Sequence, residues 1–179
     1  MATMSGFTLF DTAIGPCAIA WSPRGVVGVQ LPEGTAVKTR ARMVRRFPGA
    51  REGPAPPPVQ HAVEGISALL HGERSDLSAV ELDMDGVPSF HRRVYQITRT
   101  IAPGATLSYG EIAARLGAPG SARAVGQALG RNPFAIIVPC HRVVAAGGKV
   151  GGFSATGGTT TKLHLLSIEA SQGSWLTPP

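Results

Sequence analysis

The chain is poor in thiols: Cys17 and Cys140 are the only cysteines in 179 residues, and they lie far apart. So few cysteines exclude a disulfide-stapled scaffold. No stretch approaches 18 uninterrupted apolar residues, so no membrane-spanning helix is expected. Met1 to Phe10 lacks a basic segment followed by an apolar core. No secretory leader is read there, and a reducing cytoplasm is the expected compartment. Acidic residues are scarce in one half only. Residues 1–88 hold eight Lys/Arg and nine Asp/Glu, whereas residues 89–179 hold nine Lys/Arg against Glu111 and Glu169 alone. The whole positive excess of a chain with net charge +6 therefore lies in the second half. Such asymmetry fits a polyanionic partner, most often nucleic acid, or simply a basic surface; charge by itself leaves both open.

What is present is a foldable chain. Apolar residues make up 43% and charged residues 16%, enough for a real core in one or two small domains. Phe7–Phe10, Cys17–Trp21 and Val26–Leu31 read as strands separated by the turn signals Gly15-Pro16 and Pro23-Arg24-Gly25, an antiparallel meander. Ala36 to Phe47 reads as a helix with Arg40, Arg42, Arg45 and Arg46 on or near one face. That cluster is either a second DNA-facing patch or a solvated face. Pro48 to Pro58, rich in Pro, Gly and Ala, reads as a loop, and Val59 to His71 as a helix with Val63, Ile66, Leu69 and Leu70 inward. Leu82 and Met84 mark a short extended segment.

From Ser89 the spacing is helical: Phe90, Val94, Ile97 and Ile101 recur every three to four residues until Pro103-Gly104. Ser108-Tyr109-Gly110-Glu111 is a capping box opening a short helix through Ile112, Ala113 and Leu116. After the turn Gly117–Gly120, Ser121 is placed to cap a second helix with Val125, Ala128 and Leu129 inward. Two short helices across a glycine-containing turn have the form of a helix-turn-helix. Arg123 stands near the second helix's N-terminus, against the macrodipole, so its placement asks for another reason. Gly147-Gly148 is a turn, Val150–Ser154 a glycine-rich loop, and Thr160–Ala170 a last helix with Leu163, Leu166 and Ile168 inward. Ser171–Pro179 reads as a tail.

The chemically loaded segment is Ile136-Ile137-Val138-Pro139-Cys140-His141-Arg142-Val143, which delivers a cysteine and a histidine together. A neighbouring base or cation can lower a cysteine's pKa by units and make it a thiolate nucleophile. On an extended strand, adjacent side chains point to opposite faces. Cys140 and His141 can cooperate only if the backbone turns at Pro139 or a water bridges them.

The ordered series Ser108-Tyr109, Ser121-Ala122-Arg123-Ala124-Val125-Gly126, Arg131-Asn132-Pro133, Pro139-Cys140-His141-Arg142-Val143 and Gly152-Phe153-Ser154, ending in Lys162 and Glu169, resembles the O6-alkylguanine-DNA alkyltransferases. The resemblance implies an α/β chain of the α+β kind. Residues 1–86 would form a sheet-containing domain with a helix, residues 87–175 a mostly helical domain with a winged helix-turn-helix, and 176–179 a tail. It also implies direct, single-turnover transfer of an alkyl group from guanine O6, with thymine O4 as a second candidate, onto Cys140. No metal or organic cofactor is needed. The partner would be double-stranded DNA holding an alkylated guanine, bound by a monomer with no membrane association.

The catalytic set would be Cys140, His141, Glu169 and Tyr109. His141 would take the thiol proton through a water, Glu169 would orient the imidazole, and Tyr109 would assist the leaving guanine at N3. Arg123 would enter the base stack, with Ser121, Ala122, Gly126, Arg131 and Tyr109 on the DNA. Leu129, Ala135, Val143, Phe153 and Ser154 would line the base pocket, Asn132 would brace the cysteine loop, and Lys162 would order the site. Phe153, where many members have tyrosine, Ala135, where some have proline, and a loop to Lys162 about two residues longer than in the shortest members bear on substrate range.

Three other readings fit less of the chain. A lesion-binding relative would lack the cysteine, commonly having tryptophan there. A Cys-His hydrolase leaves the basic helix-turn-helix unexplained, and a helix-turn-helix repressor leaves Cys140-His141 unexplained. Cys17, His61 and His71 do not assemble a zinc site, and Cys17 reads as a small core residue.

Overall fold

A computed structural model of the chain describes residues 5–171. It divides into two compact units. The first comprises the described residues up to Asp85 together with Pro133–Ile137; the second comprises Gly86–Asn132 and the described residues from Val138 onward. Among the described residues no helix is long and apolar enough to cross a membrane.

The first unit is built on a four-stranded sheet ordered β3-β2-β1-β4. β1 (Gly6–Thr12) and β2 (Gly15–Ser22) form an antiparallel hairpin closed at the pair Thr12–Gly15, and β3 (Gly25–Gln30) returns antiparallel to β2 across a second tight turn. A bulge between Ala20 and Trp21 adjusts that register. α1 (Ala36–Arg46) starts at Thr35, whose side chain accepts from the Lys38 amide, and buries Thr39 and Met43. Met43 packs with Phe7, Ala18 and Ala20. The alternate residues Cys17 and Ile19 are fully buried too, so β2 is covered on both faces. α2 (Pro57–Leu70) buries Val59, Ala62, Val63, Ile66, Leu69 and Leu70.

Two features depart from the sequence expectation. The Pro-rich loop contains β4 (Arg51–Glu52), which pairs in parallel with Gly6 and Phe7, so the sheet is not purely antiparallel. The Arg cluster on α1 is also split. Arg40 pairs with Glu52 at the surface (2.9 Å), whereas Arg46 lies half-buried over the Phe47 ring and donates to the carbonyls of Val29 and Pro133 and to Gln30 Oε1. With the Val29 amide on the Pro133 carbonyl and a bridge between Val29 and Phe134, these bonds tie Pro133–Ile137 to β3.

The second unit is mostly helical. α3 (Ser89–Thr98) buries Val94, Tyr95 and Thr98. The Tyr95 hydroxyl donates to the Ala128 carbonyl (2.7 Å), and Arg93 donates to the Leu116 carbonyl. Burial pushes the Tyr95 phenol up to about 12, so it is a neutral donor throughout the physiological range. β5 (Leu107–Ser108) leads into α4 (Tyr109–Arg115) through the expected capping box: Ser108 Oγ accepts from the Glu111 amide, and Glu111 accepts from the Ser108 amide. α4 ends at Gly117 (φ +74°), where the Gly117 amide bonds Ala114 O and the Ala118 amide bonds Ala113 O, a Schellman closure.

α5 (Ala122–Gly130) follows, packed on α3 and α4. Ser121 does not cap it; its hydroxyl turns back to the Ala118 carbonyl instead. β6 (Val143–Val144) pairs in parallel with β5, and α6 (Gly158–Ser171) closes the unit. The inward face of α6 is Lys162, Leu165 and Glu169. Leu163 is exposed and Leu166 and Ile168 only half-buried, contrary to expectation, because two ionisable residues occupy the buried stripe. Ser171 is helical and is the last described residue; the rest of the expected tail lies outside the described residues.

Candidate active site

A two-rung parallel ladder, Leu107–Val143 and Ser108–Val144, ties β5 to β6; Tyr109, first residue of α4, follows β5, and Cys140–Arg142 immediately precedes β6. The chain reaches Cys140 through two reversals. Ile136 has φ +71° with its flanking residues joined by an Ile137 N–H to Ala135 O bond (2.9 Å). Pro139, at φ −79° and ψ 66°, closes an inverse γ-turn through Cys140 N–H to Val138 O (2.8 Å). A β-branched residue at positive φ costs on the order of 1–3 kcal/mol, and such strain concentrates at functional loops. Cys140–Arg142 is a 3-10 turn. The required backbone turn is therefore present, and Cys140 and His141 are not held on opposite faces of a strand.

Cys140 is half-buried at an open cavity of about 460 Å³ lined by Tyr109, Gly126, Leu129, Gly130, Gly152, Phe153 and Ser154. Ala135 and Val143 are not among its lining residues. Gly126 presents no side chain to the Tyr109 ring, which a Cβ there would meet at 3.8 Å. Gly151 is more constrained: at φ +73°, an added Cβ would sit 3.0 Å from the Tyr109 hydroxyl. Lys162 is fully buried, and its ammonium donates to Val143 O (2.6 Å), Gly152 O (3.1 Å) and the Tyr109 hydroxyl (3.5 Å). It thus joins the strand after Cys140 to the glycine-rich loop. The Asn132 amide donates to Val138 O (2.9 Å), bracing the turn from the other side.

Behind the cysteine is a buried ionic group. His141 Nε2 lies 2.7 Å from Glu169 Oε1, both side chains 1% exposed. Arg142 grips the same carboxylate, Nε at 3.1 and 3.0 Å from Oε1 and Oε2 and Nη2 at 2.7 Å from Oε1, while its Nη1 donates to Ile101 O (2.7 Å). Burial would raise the Glu169 pKa, but the hydrogen bonds of His141 and Arg142 and the Arg142 charge outweigh it and hold the carboxyl at about 2. An ionised carboxylate only accepts, so His141 Nε2 carries the proton and Nδ1 is the basic nitrogen. Nδ1 is buried and has no hydrogen-bond partner among the described residues.

Burial also lowers the His141 pKa, against the raising effect of Glu169, and keeps the ring neutral. Cys140 corrects the sequence expectation: burial pushes its thiol up, and Asn132 and Lys162 only partly offset this. The resting group is a thiol beside a neutral base, not a preformed thiolate.

The DNA-facing candidates sit on α5. Arg123, its second residue, is exposed, as is Arg131 at its C-terminal cap; Ser121 and Ala122 are half-buried. Sequence reading missed Arg142, whose signal was a lone charge inside an otherwise buried run, and Tyr95, which is buried one position beyond the Phe90, Val94 and Ile97 spacing.

A half-buried thiol, a neutral imidazole and a carboxylate behind it, opening on a glycine-walled cavity, define a protein whose chemistry is done by one cysteine. Residues 89–171 match the family model described as "6-O-methylguanine DNA methyltransferase, DNA binding domain". The methylated-DNA–protein-cysteine methyltransferase of Mycobacterium tuberculosis (strain ATCC 25618 / H37Rv) is 41% identical over 169 residues, 94% of each chain. The crystal structure of M. tuberculosis OGT in complex with DNA superposes with a TM-score of 0.77 at 38% identity, covering 93% of this chain and 94% of that one. The O6-methylguanine-DNA methyltransferase of Pyrococcus kodakaraensis strain KOD1 gives 0.69 at 28% identity, covering 91% and 98%. The chain belongs to the methylated-DNA–protein-cysteine methyltransferase family.

Proposed function

We propose that this protein repairs DNA by moving the alkyl group of an O6-alkylguanine onto Cys140, once per molecule. The observation that carries the reading is the half-buried Cys140 thiol on a cavity wall, backed by a neutral His141 whose tautomer Glu169 fixes. O6 of guanine lies inside the duplex, so the nucleotide must leave the stack to reach the cavity. α4 and α5 serve as the helix-turn-helix, with Ser121, Ala122, Gly126 and Arg131 on the DNA. Arg123, exposed at the start of α5, fills the gap with a flat cation that stacks and hydrogen-bonds at once. Residues 87–175 act as the alkyltransferase domain.

In the cavity, the thiol proton passes through a bridging water to His141 Nδ1. Sγ attacks the alkyl carbon as the carbon–O6 bond breaks, and the electron pair leaves with guanine. The Tyr109 hydroxyl hydrogen-bonds or protonates guanine N3, which removes the cost of expelling an anion. The nucleophile–base–orienter logic is that of catalytic triads. The product is a thioether, which water does not hydrolyse under mild conditions, so the protein is consumed. O4-alkylthymine is a second candidate substrate, and the protein acts as a cytoplasmic monomer.

Intact-mass spectrometry after mixing with a duplex holding O6-methylguanine tests the reading. Wild type should gain one methyl group and Cys140→Ser none. Wild type that binds the duplex and stays unmodified would make the protein a lesion binder instead. Arg123→Ala should slow transfer from duplex more than transfer from the free alkylated base; equal slowing of both removes Arg123 from the stack.

A further inference from the structure

A buried histidine beside a buried carboxylate feels two opposed effects: burial favours the neutral ring, and the carboxylate's charge favours a second ring proton, which would disable it as a base. Here a cation holds the carboxylate. The guanidinium of Arg142 makes three contacts with Glu169, between 2.7 and 3.1 Å, and anchors its own far nitrogen on the Ile101 carbonyl. Arg142 is 6% exposed on its side chain, and arginine does not lose its charge. Oε1 of Glu169 thus accepts from His141 and twice from Arg142, and Oε2 accepts from Arg142 and, at 3.5 Å, from the Gly104 amide.

We propose that Arg142 is a positioning residue that, by clamping Glu169, keeps His141 a neutral imidazole protonated at Nε2 and basic at Nδ1. The proposal rests on the reading that His141 is the general base. Two effects act together. The fork fixes the carboxylate plane, so one oxygen is always presented to Nε2. The positive charge shares the carboxylate's field, so the pull of Glu169 on a second ring proton is weakened. The groups facing His141 are Glu169 and Lys162 from α6 and Arg142 from its own turn, with Cys140 adjacent. Both cations lower the ring's basicity, and only Glu169 raises it. Of the two cations, Arg142 is the one hydrogen-bonded to Glu169.

The test is a ¹⁵N-histidine NMR titration of the full chain, which needs no substrate, run beside the pH dependence of methyl transfer from an O6-methylguanine duplex. Wild type should show His141 in the Nε2–H form, titrating below the ordinary histidine range. In Arg142→Met the midpoint should rise by a pH unit or more, a tenfold gain in protonated ring at a given pH. The acid limb of the transfer rate should rise with it. Arg142→Lys keeps a cation but not the fork; its midpoint should fall between the two, with a mixed tautomer population, and it serves if the methionine variant does not fold. A wild-type midpoint and tautomer in Arg142→Lys would overturn the proposal even if transfer slowed, since the arginine would then be only a structural tie. If wild type takes no methyl group at any pH, the proposed function fails, while the titration still decides the role of Arg142.

Discussion

Each unit of the molecule holds one cysteine, and the two thiols show what makes a cysteine a reagent. Cys17 is fully buried in β2, with Thr12 as its polar neighbour at 3.6 Å, and burial pushes its thiol up to about 11. Burial pushes the Cys140 thiol up as well. What separates them is access and proton acceptance: Cys140 opens on a cavity and is followed by the buried His141. The contrast extends to the interiors. In the first unit the buried set is mainly aliphatic. In the second, His141, Arg142, Lys162, Glu169, Tyr95 and Thr98 all lie inside, each with named partners.

The contrast can be broken by moving stability without chemistry, or the reverse. Ile66→Ala removes a fully buried side chain of α2 and should cost about 2–5 kcal/mol in urea unfolding while leaving the transfer rate of the folded protein unchanged. A slowed transfer in folded Ile66→Ala would mean that the two interiors are not separable.

The second unit should instead be sensitive to acid. Glu169 is held at about 2 against an ordinary 4.5, so its stabilisation is full above pH 4.5 and is lost as pH falls toward 2. The pair shift is worth roughly 3 kcal/mol at most. Glu169→Gln should therefore flatten the pH dependence of unfolding in that window; an unchanged slope would show that the carboxylate carries no such load. Lys162→Met strips donors from Val143 O and Gly152 O and should cost about 1–3 kcal/mol. Hydrogen exchange should rise around Gly151–Phe153, with slower transfer. Ser108→Ala removes the capping hydroxyl of α4 and should cost about 1 kcal/mol with transfer nearly unaffected, read by thermal unfolding.

The same contrast explains what was legible in the sequence. The β1–β3 meander, α2 and the capping box at Ser108 followed from alternation, helical spacing and turn chemistry, because aliphatic residues fill the positions those rules reserve for them. The turn at Pro139 was legible because a proline breaks the run just before the two reactive side chains. α6 was phased wrongly because its buried stripe carries a lysine and a glutamate; hydropathy spacing chose Leu163, which is exposed. Ser121 looked like a cap, but its backbone (φ −93°, ψ 21°) is not in the extended form a cap needs, and its hydroxyl turns back to donate to Ala118 O. β4 was hidden because two exposed charged residues, Arg51 and Glu52, pair through backbone alone. At the site, Cys140, His141, Tyr109 and Glu169 were named from the family resemblance that the ordered motifs carry. The raised thiol and the Arg142 clamp were not, since both depend on burial that spacing does not report.

Peptide mapping of the methylated protein tests the central claim most directly, because it puts the two cysteines in one experiment. After incubation with an O6-methylguanine duplex, the peptide holding Cys140 should carry one methyl group in stoichiometric yield and the peptide holding Cys17 none. Methyl on Cys17, or an unmodified Cys140 in protein that has bound the duplex, would contradict it.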